Sequence, residues 1–283
     1  MSASPEAAGP GAPRLRPVTP IGIAAALLEA VEDRLVAHGD VDQDILDDLR
    51  GATARVAGLE PYVARCTTPA SAALEQLEAD TNRHDWSAVD ADGATPGVER
   101  EMLSGHVEGQ LLRMLVGVAA ARSVLDIGLF SGYSSLAMAE GLPDDGRVIG
   151  CEVDPRVADF ARDRLERSPH GHKVEIRVGP ATETLAALTA EQQVFDVAFL
   201  DADKGGYQGY LTRLLDDRLV RPGGLILADN TLLQGQPYAT GSPSGSGAAI
   251  ATFNEAVLAE QRVEQVLIPL RDGVTLMRVL GDD

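Results

Sequence analysis

The stretch FLDADKGGY, residues 199–207, runs from apolar side chains straight into Asp201, Asp203 and Lys204, followed by two glycines. A second stretch, LILADNTLLQG (225–235), ends its apolar run on Asp229 and Asn230. Charged groups are costly in a buried strand. Two apolar runs that each stop on a carboxylate therefore read as central strands whose carboxyl ends face a ligand.

Outward from these two runs, the second half of the chain keeps one rhythm. Short β-branched segments recur at 123–128, 147–153, 174–179, 195–202, 224–230, 262–270 and 273–280. The first five are separated by helix-sized segments, which predicts right-handed crossovers and parallel pairing. The last two are joined by little more than RDG, which predicts an antiparallel hairpin. The fold class is α/β, Rossmann-like: a mostly parallel seven-stranded sheet with an antiparallel C-terminal hairpin. This resembles the plan of class I S-adenosylmethionine-dependent methyltransferases.

Before the sheet the pattern is helical, from about Thr19 to Ala79. TPIGIAAALLEAVEDRLVAHGD begins with a Thr cap and Pro20, and Gly39 stops it. DILDDLRGATARVAGL and TPASAALEQLEAD read as two further helices, and NRHDWSAVDADGATPG as a connector. VEREMLSGHVEGQLLRMLVGVAAA returns to helical period. The chain thus divides into a disordered leader (1–18), an N-terminal helical segment (19–97) and a catalytic-type domain (98–283). The Gly/Ser-rich stretch QPYATGSPSGSGAAIATF reads as a mobile loop beside the site.

Composition excludes several classes. The formal net charge of -19 repels phosphate backbones and anionic membranes, so nucleic-acid and membrane partners are not expected. The N-terminus lacks a secretory signal pattern, and no apolar run is long enough to span a bilayer. The two cysteines, Cys66 and Cys151, are far apart and read as reduced thiols of a cytoplasmic protein.

The segment VLDIGLFSGYSSLAMA supplies a glycine turn at Gly128 and Gly132 between a strand and a helix N-terminus. It lacks both the dinucleotide and the phosphate-loop signatures. Glu152 follows Gly128 by 24 positions, where an acidic side chain meets ribose hydroxyls in such folds. Asp126, at the tip of the first strand, is placed to hold the cofactor's ammonium group.

The motifs MLSGHVEGQLL, LDIGLFSGYSSLAMAEGLPDDGRV, VGPATE, FLDADK and ADNTLLQG resemble the cation-dependent small-molecule O-methyltransferases, the caffeoyl-CoA and catechol group. The resemblance runs from about Val98 to Leu280. It implies S-adenosylmethionine contacts at Met102, Ser104, Asp126, Gly128, Ser134, Glu152, Ala181 and Asp201. It also implies a divalent cation, Mg²⁺ first, held by Asp201, Asp229 and Asn230, a set of hard oxygen donors suited to that ion. Lys204 is implied as general base, or as the cation that steadies an ionised hydroxyl. With Asp201 it forms the catalytic pair. Burial and a neighbouring divalent cation are both expected to lower the Lys204 pKa. A homodimer is implied as well.

Within that family, Leu233 stands where phenylpropanoid members carry an aromatic residue, and the chain is only 4% aromatic. Longer motifs, among them AGLEPYVARCTTPASAALEQL, SPHGHKVEI and VLIPLRDGVTL, resemble the branch that forms 4-deoxygadusol in mycosporine biosynthesis. That resemblance implies a small acceptor with vicinal oxygens, demethyl-4-deoxygadusol. Two alternatives stand beside it: a catechol or caffeoyl-CoA-type enzyme of another natural-product pathway, and a non-catalytic S-adenosylmethionine-binding protein.

Overall fold

The computed structural model describes residues 16–86, 99–239, 241, 243 and 245–281. The expected leader therefore lies outside the described residues up to position 15, as does most of the connector after Trp86.

Three helices come first: α1 (Pro20–His38), α2 (Gln43–Cys66) and α3 (Ala72–Arg83). Thr19 caps α1 through its hydroxyl, which accepts from the Gly22 N–H at 3.1 Å, and Gly39 ends the helix at φ 80°. Only glycine takes that left-handed backbone without cost. α2 is longer than the sequence pattern predicts. It continues through Pro61 to Cys66, giving up the backbone hydrogen bond that proline cannot donate.

The helical run expected from Val98 is broken. A short 3₁₀ turn, Arg100–Met102, leads to extended Leu103, and α4 (Gly105–Val118) starts only at Gly105. Gly105 adopts φ +73°, and a Cβ there would approach the Arg271 guanidinium to 3.0 Å. The break is set by a long-range contact that periodicity cannot express.

The sheet follows the predicted alternation: β1 (Ser123–Ile127), α5 (Tyr133–Gly141), β2 (Arg147–Glu152), α6 (Pro155–Leu165), β3 (Val174–Val178), α7 (Ala181–Ala190), β4 (Phe195–Leu200), α8 (Tyr207–Asp216), β5 (Val220–Ala228), α9 (Gln236–Ala239), α10 (Ser246–Ala259), β6 (Val263–Ile268) and β7 (Val274–Val279). Strand order is β3-β2-β1-β4-β5-β7-β6, with the first five parallel and β7 antiparallel to both its neighbours. The winding direction reverses between β1 and β4, and ligands bind above such a switch point.

The central strands β1, β2 and β4 and the C-terminal part of β5 are buried on both faces, as parallel sheets require. Leu125, Ile127, Ala198, Leu200, Ile226 and Ala228 face α7, α8 and α10. Val124, Val197, Phe199 and Leu227 face α4 and α5. A satellite core joins Leu74, Leu77 and Trp86 to Tyr133, Leu136 and Phe160, so α3 and the residues after it pack directly on α5 and α6. Trp86 also stacks at 4.8 Å on Phe130 of the glycine loop.

The stretch expected to be a mobile loop is partly helical. α9 and α10 occupy most of it, because Ile250, Phe253 and Val257 recur on one face and bury completely.

Gly128 is the tightest joint between the first strand and the rest. At φ +102° its missing Cβ would lie 2.0 Å from the Asp201 carbonyl oxygen. Gly128→Ala is expected to push the glycine loop off the end of β4 and to cost about 3 kcal/mol. That corresponds to a fall in Tm of roughly 5–10 °C for a chain of this size. A melting curve superimposable on the wild type would refute the joint.

Candidate active site

The carboxyl ends of β1, β2, β4 and β5 open into one cavity of about 760 Å³. Among the described residues nine acidic and three basic ones line it, so its interior favours cationic ligands. Of the sequence-derived cofactor residues, Met102, Ser104, Gly128, Glu152, Ala181 and Asp201 line the cavity, as do Lys204, Asp229 and Asn230. Asp126 and Ser134 do not. Both are buried below the glycine loop.

Asp126 sits near the end of a largely buried strand, with no cation paired to it among the described residues. Its Oδ2 accepts from the hydroxyls of Ser134 at 2.7 Å and Ser135 at 2.6 Å, while Oδ1 has no partner among the described residues. Burial, only partly offset by the two serines, pushes its pKa up to about 7. Closed off from the cavity, this carboxylate does not meet the cofactor's ammonium group directly as the sequence implied; it braces the helix start behind the glycine loop instead. Ser134, expected to touch the cofactor, here orients Asp126.

Glu152 is held from below by backbone. Its Oε2 accepts from the Phe130 N–H and its Oε1 from the Asp154 N–H, both at 2.9 Å. Burial raises its pKa, and those N–H groups oppose the rise. Each oxygen keeps a lone pair for a vicinal diol such as a ribose.

At the other end of the cavity, Lys204 occupies a short turn between β4 and α8. Its Nζ donates to Asp201 Oδ1 at 3.0 Å and to the Tyr207 hydroxyl at 2.7 Å. Tyr207 is fully buried, and its oxygen lies 3.1 Å from the carbonyls of both Leu200 and Asp229. Burial does act to lower the Lys204 pKa, as expected. Tyr207, Asp201 and Asp229 outweigh it, however, and the net direction is up. As it stands, Lys204 is an ammonium.

Asp229 is buried, and its Oδ1 has no partner among the described residues. Asn230, in a left-handed backbone at φ 56°, donates from Nδ2 to Asp229 Oδ2 at 3.0 Å. Burial and the nearby Asp201 charge push the Asp229 pKa up. Among the described residues no group of three or more His, Cys, Asp or Glu side chains is arranged to hold a metal ion. The set Asp201, Asp229 and Asn230 offers two carboxylates and one amide instead. Its orphaned oxygen and mutual repulsion fit a hard divalent cation.

Besides Tyr207, two further residues of the site escape sequence reasoning. Glu108, on the buried face of α4, is 1% exposed, and its Oε1 lacks a donor among the described residues. Burial first, and then the Asp229 charge, push its pKa well up. Its Oε2 lies 3.4 Å from Arg271 Nη1. Glu108 sits in the quoted motif MLSGHVEGQLL. The usable signal was one acid on an otherwise apolar helical stripe with Leu112 and Val116. Arg271 carried no local signal.

A family model described as O-methyltransferase matches residues 94–280. The chain is 35% identical to caffeoyl-CoA O-methyltransferase 2 of Zea mays over 72% of its own length and 75% of that protein. To caffeoyl-CoA O-methyltransferase of Petroselinum crispum it is 33% identical, over 73% and 83%. Among solved structures, an O-methyltransferase from Bacillus cereus in complex with S-adenosylhomocysteine superposes with a TM-score of 0.65 at 29% identity, covering 78% of this chain and 97% of that one. The Streptomyces achromogenes O-methyltransferase involved in tomaymycin synthesis, in complex with S-adenosylmethionine, gives 0.65 at 30%, covering 79% and 96%.

Asp126 makes a signed prediction. Its folded pKa of about 7 lies above the ordinary 3.8, so the folded chain binds this proton more tightly than the unfolded one. The stability it contributes is full below about pH 4 and is lost as pH rises through about 7. Asp126→Asn is therefore expected to stabilise the ligand-free protein at pH 8 by on the order of 1–3 kcal/mol. At pH 5 the gain shrinks, and affinity for S-adenosylmethionine falls at least about tenfold. Melts at both pH values, with calorimetry of the ligand, decide it; a variant less stable than wild type at pH 8 contradicts the account.

Proposed function

Because the chain belongs to the caffeoyl-CoA-type family of S-adenosylmethionine-dependent O-methyltransferases, we propose that it methylates an enolic hydroxyl of demethyl-4-deoxygadusol, giving 4-deoxygadusol for mycosporine-like amino acids. The observation that carries this reading is the acidic end of the cavity. There Asp201, Asp229, Asn230 and Lys204 converge, and among the described residues the aromatic lining is Phe130 and Tyr210. Leu233 takes up the wall at 8% exposure, where a stacking clamp for a flat phenylpropanoid would be needed.

Asp201, Asp229 and Asn230 would hold the divalent cation, which when bound supplies chelation of two vicinal oxygens and acidifies the one to be methylated. The residues of the chain do the rest. Glu152 and the glycine loop, braced from below by Asp126, hold the donor. The acceptor oxygen attacks the methyl carbon in line, forming the O–C bond as the S–C bond breaks and S-adenosylhomocysteine leaves. Lys204, kept as an ammonium by Asp201 and Tyr207, steadies the ionised oxygen rather than taking its proton. A vinylogously acidic enol suits that arrangement, because it arrives ionised. A cytoplasmic setting and a homodimer belong to the same proposal, consistent with the free thiols of Cys66 and Cys151.

A specific observation also favours a second reading. Caffeoyl-CoA O-methyltransferases are among the relatives, so a catechol-type acceptor of another pathway is the alternative. The nine acids of the cavity count against a polyanionic carrier such as coenzyme A.

Incubation with S-adenosylmethionine, Mg²⁺ and demethyl-4-deoxygadusol is expected to add one methyl group by mass, with slower turnover on catechol and none on caffeoyl-CoA. A chelator should abolish the reaction and Mg²⁺ restore it. Asp229→Ala should lower kcat/KM at least about 100-fold, and Lys204→Ala only about tenfold. The reverse order, or a preference for catechol, defeats this choice of acceptor.

A further inference from the structure

Arg271 sits at the tip of the β6–β7 hairpin, far in sequence from everything it touches. Its backbone is left-handed at φ 50°, a conformation that costs a non-glycine residue about 1 kcal/mol or more. Its Nη2 donates to the Leu103 carbonyl at 3.0 Å, and its Nη1 faces Glu108 Oε2 at 3.4 Å. Gly105 leaves room for the guanidinium to pass. The result is a cation in the cavity wall beside Asp229 and Asn230, its side chain 27% exposed.

Three basic residues line the cavity, and each has a distinct place. Arg16 pairs with Glu99 and is 65% exposed. Lys204 is tied to Asp201 and Tyr207. Arg271 donates one of its five N–H groups to the Leu103 carbonyl and faces Glu108 as an ion pair at 3.4 Å. Glu108 is buried and fixed by α4, so it holds the guanidinium plane in one orientation. A planar, preoriented fork of this kind recognises carboxylate or enolate oxygens better than neutral hydroxyls. In a wall otherwise rich in acids, an anionic acceptor needs such a partner to enter.

We propose that Arg271, oriented by Glu108, is the specificity-determining residue of the acceptor end, engaging an anionic oxygen and selecting ionised enolic or carboxylate-bearing acceptors over neutral diols. Arg271 touches the acceptor; Glu108 acts through Arg271 and is a positioning residue. This inference rests on the methyl-transfer reading above and adds the charge class of the acceptor.

The test compares a matched pair, 3,4-dihydroxybenzoate and catechol, together with demethyl-4-deoxygadusol. Both calorimetric binding in the presence of S-adenosylhomocysteine and Mg²⁺ and steady-state KM are measured. Wild type should prefer the anionic acceptors. Arg271→Met should shrink the anionic-to-neutral preference about tenfold, an effect of about 1.4 kcal/mol, chiefly in KM rather than kcat. Arg271→Lys should recover part of the preference. Should Arg271→Met fold poorly, the double variant Glu108→Gln/Arg271→Met removes both members of the buried pair and is read by the same ratio. An unchanged ratio overturns the inference. So does a tenfold loss of S-adenosylhomocysteine affinity at constant ratio, which would assign Arg271 to the donor's carboxylate. Arg271-dependent binding of anionic acceptors without turnover would sink the methyl-transfer reading and leave this inference standing. Turnover with a ratio indifferent to Arg271 would do the opposite.

Discussion

The Tyr207 hydroxyl is the hinge on which the site depends. It lies between the last carbonyls of β4 and β5 and receives the Lys204 ammonium, which in turn grips Asp201. A fully buried phenol oxygen must find partners or cost on the order of 1–3 kcal/mol. Here its partners are the two strand tips themselves. Satisfying one hydroxyl therefore fixes the spacing of Asp201 and Asp229 and the direction of Lys204 together. The register of β4 and β5, which pairs Leu200 with Ala228, sets up that coincidence before any side chain is considered.

The electrostatics follow from the same geometry. The fold brings Asp126, Glu152, Asp201 and Asp229 to neighbouring strand ends, and burial disfavours ionisation of three of them. Such a site is under tension when empty: it trades stability for a standing demand for positive charge. In the function proposed above, a sulfonium donor with an ammonium group and a divalent ion would meet that demand in two separate places, Glu152 serving the donor end and Asp229 the acceptor end. Gly128, jammed against the Asp201 carbonyl, keeps the two ends at a fixed separation.

Much of this was legible in the sequence, for a local reason. The alternation of strands and helices, the glycine turn, and the DADK and ADN endings are each contained in a few consecutive residues, and a parallel sheet turns such endings into a common site. Glu108, Tyr207 and Arg271 were not legible in the same way. Tyr207 looks like the first residue of an amphipathic helix, which it also is. Glu108 becomes functional only because β5 ends beneath α4, and Arg271 only because the final hairpin folds back onto Leu103. The break in the helix at Gly105 has the same origin. Local patterns carry periodicity and caps; they carry no information about which distant charge will fill a notch. The helical content of 236–253 was missed for another reason. Glycine and serine dominate its composition, while the three side chains that bury it are spread thinly along α10.

Trp86 is the one tryptophan of the chain. It sits where the helical N-terminal segment meets the glycine loop, in ring contact with Phe130, whose own N–H braces Glu152. The chain's single indole thus stands against the wall of the glycine loop, where its emission is open to any shift of Phe130 and has no second indole to blur it.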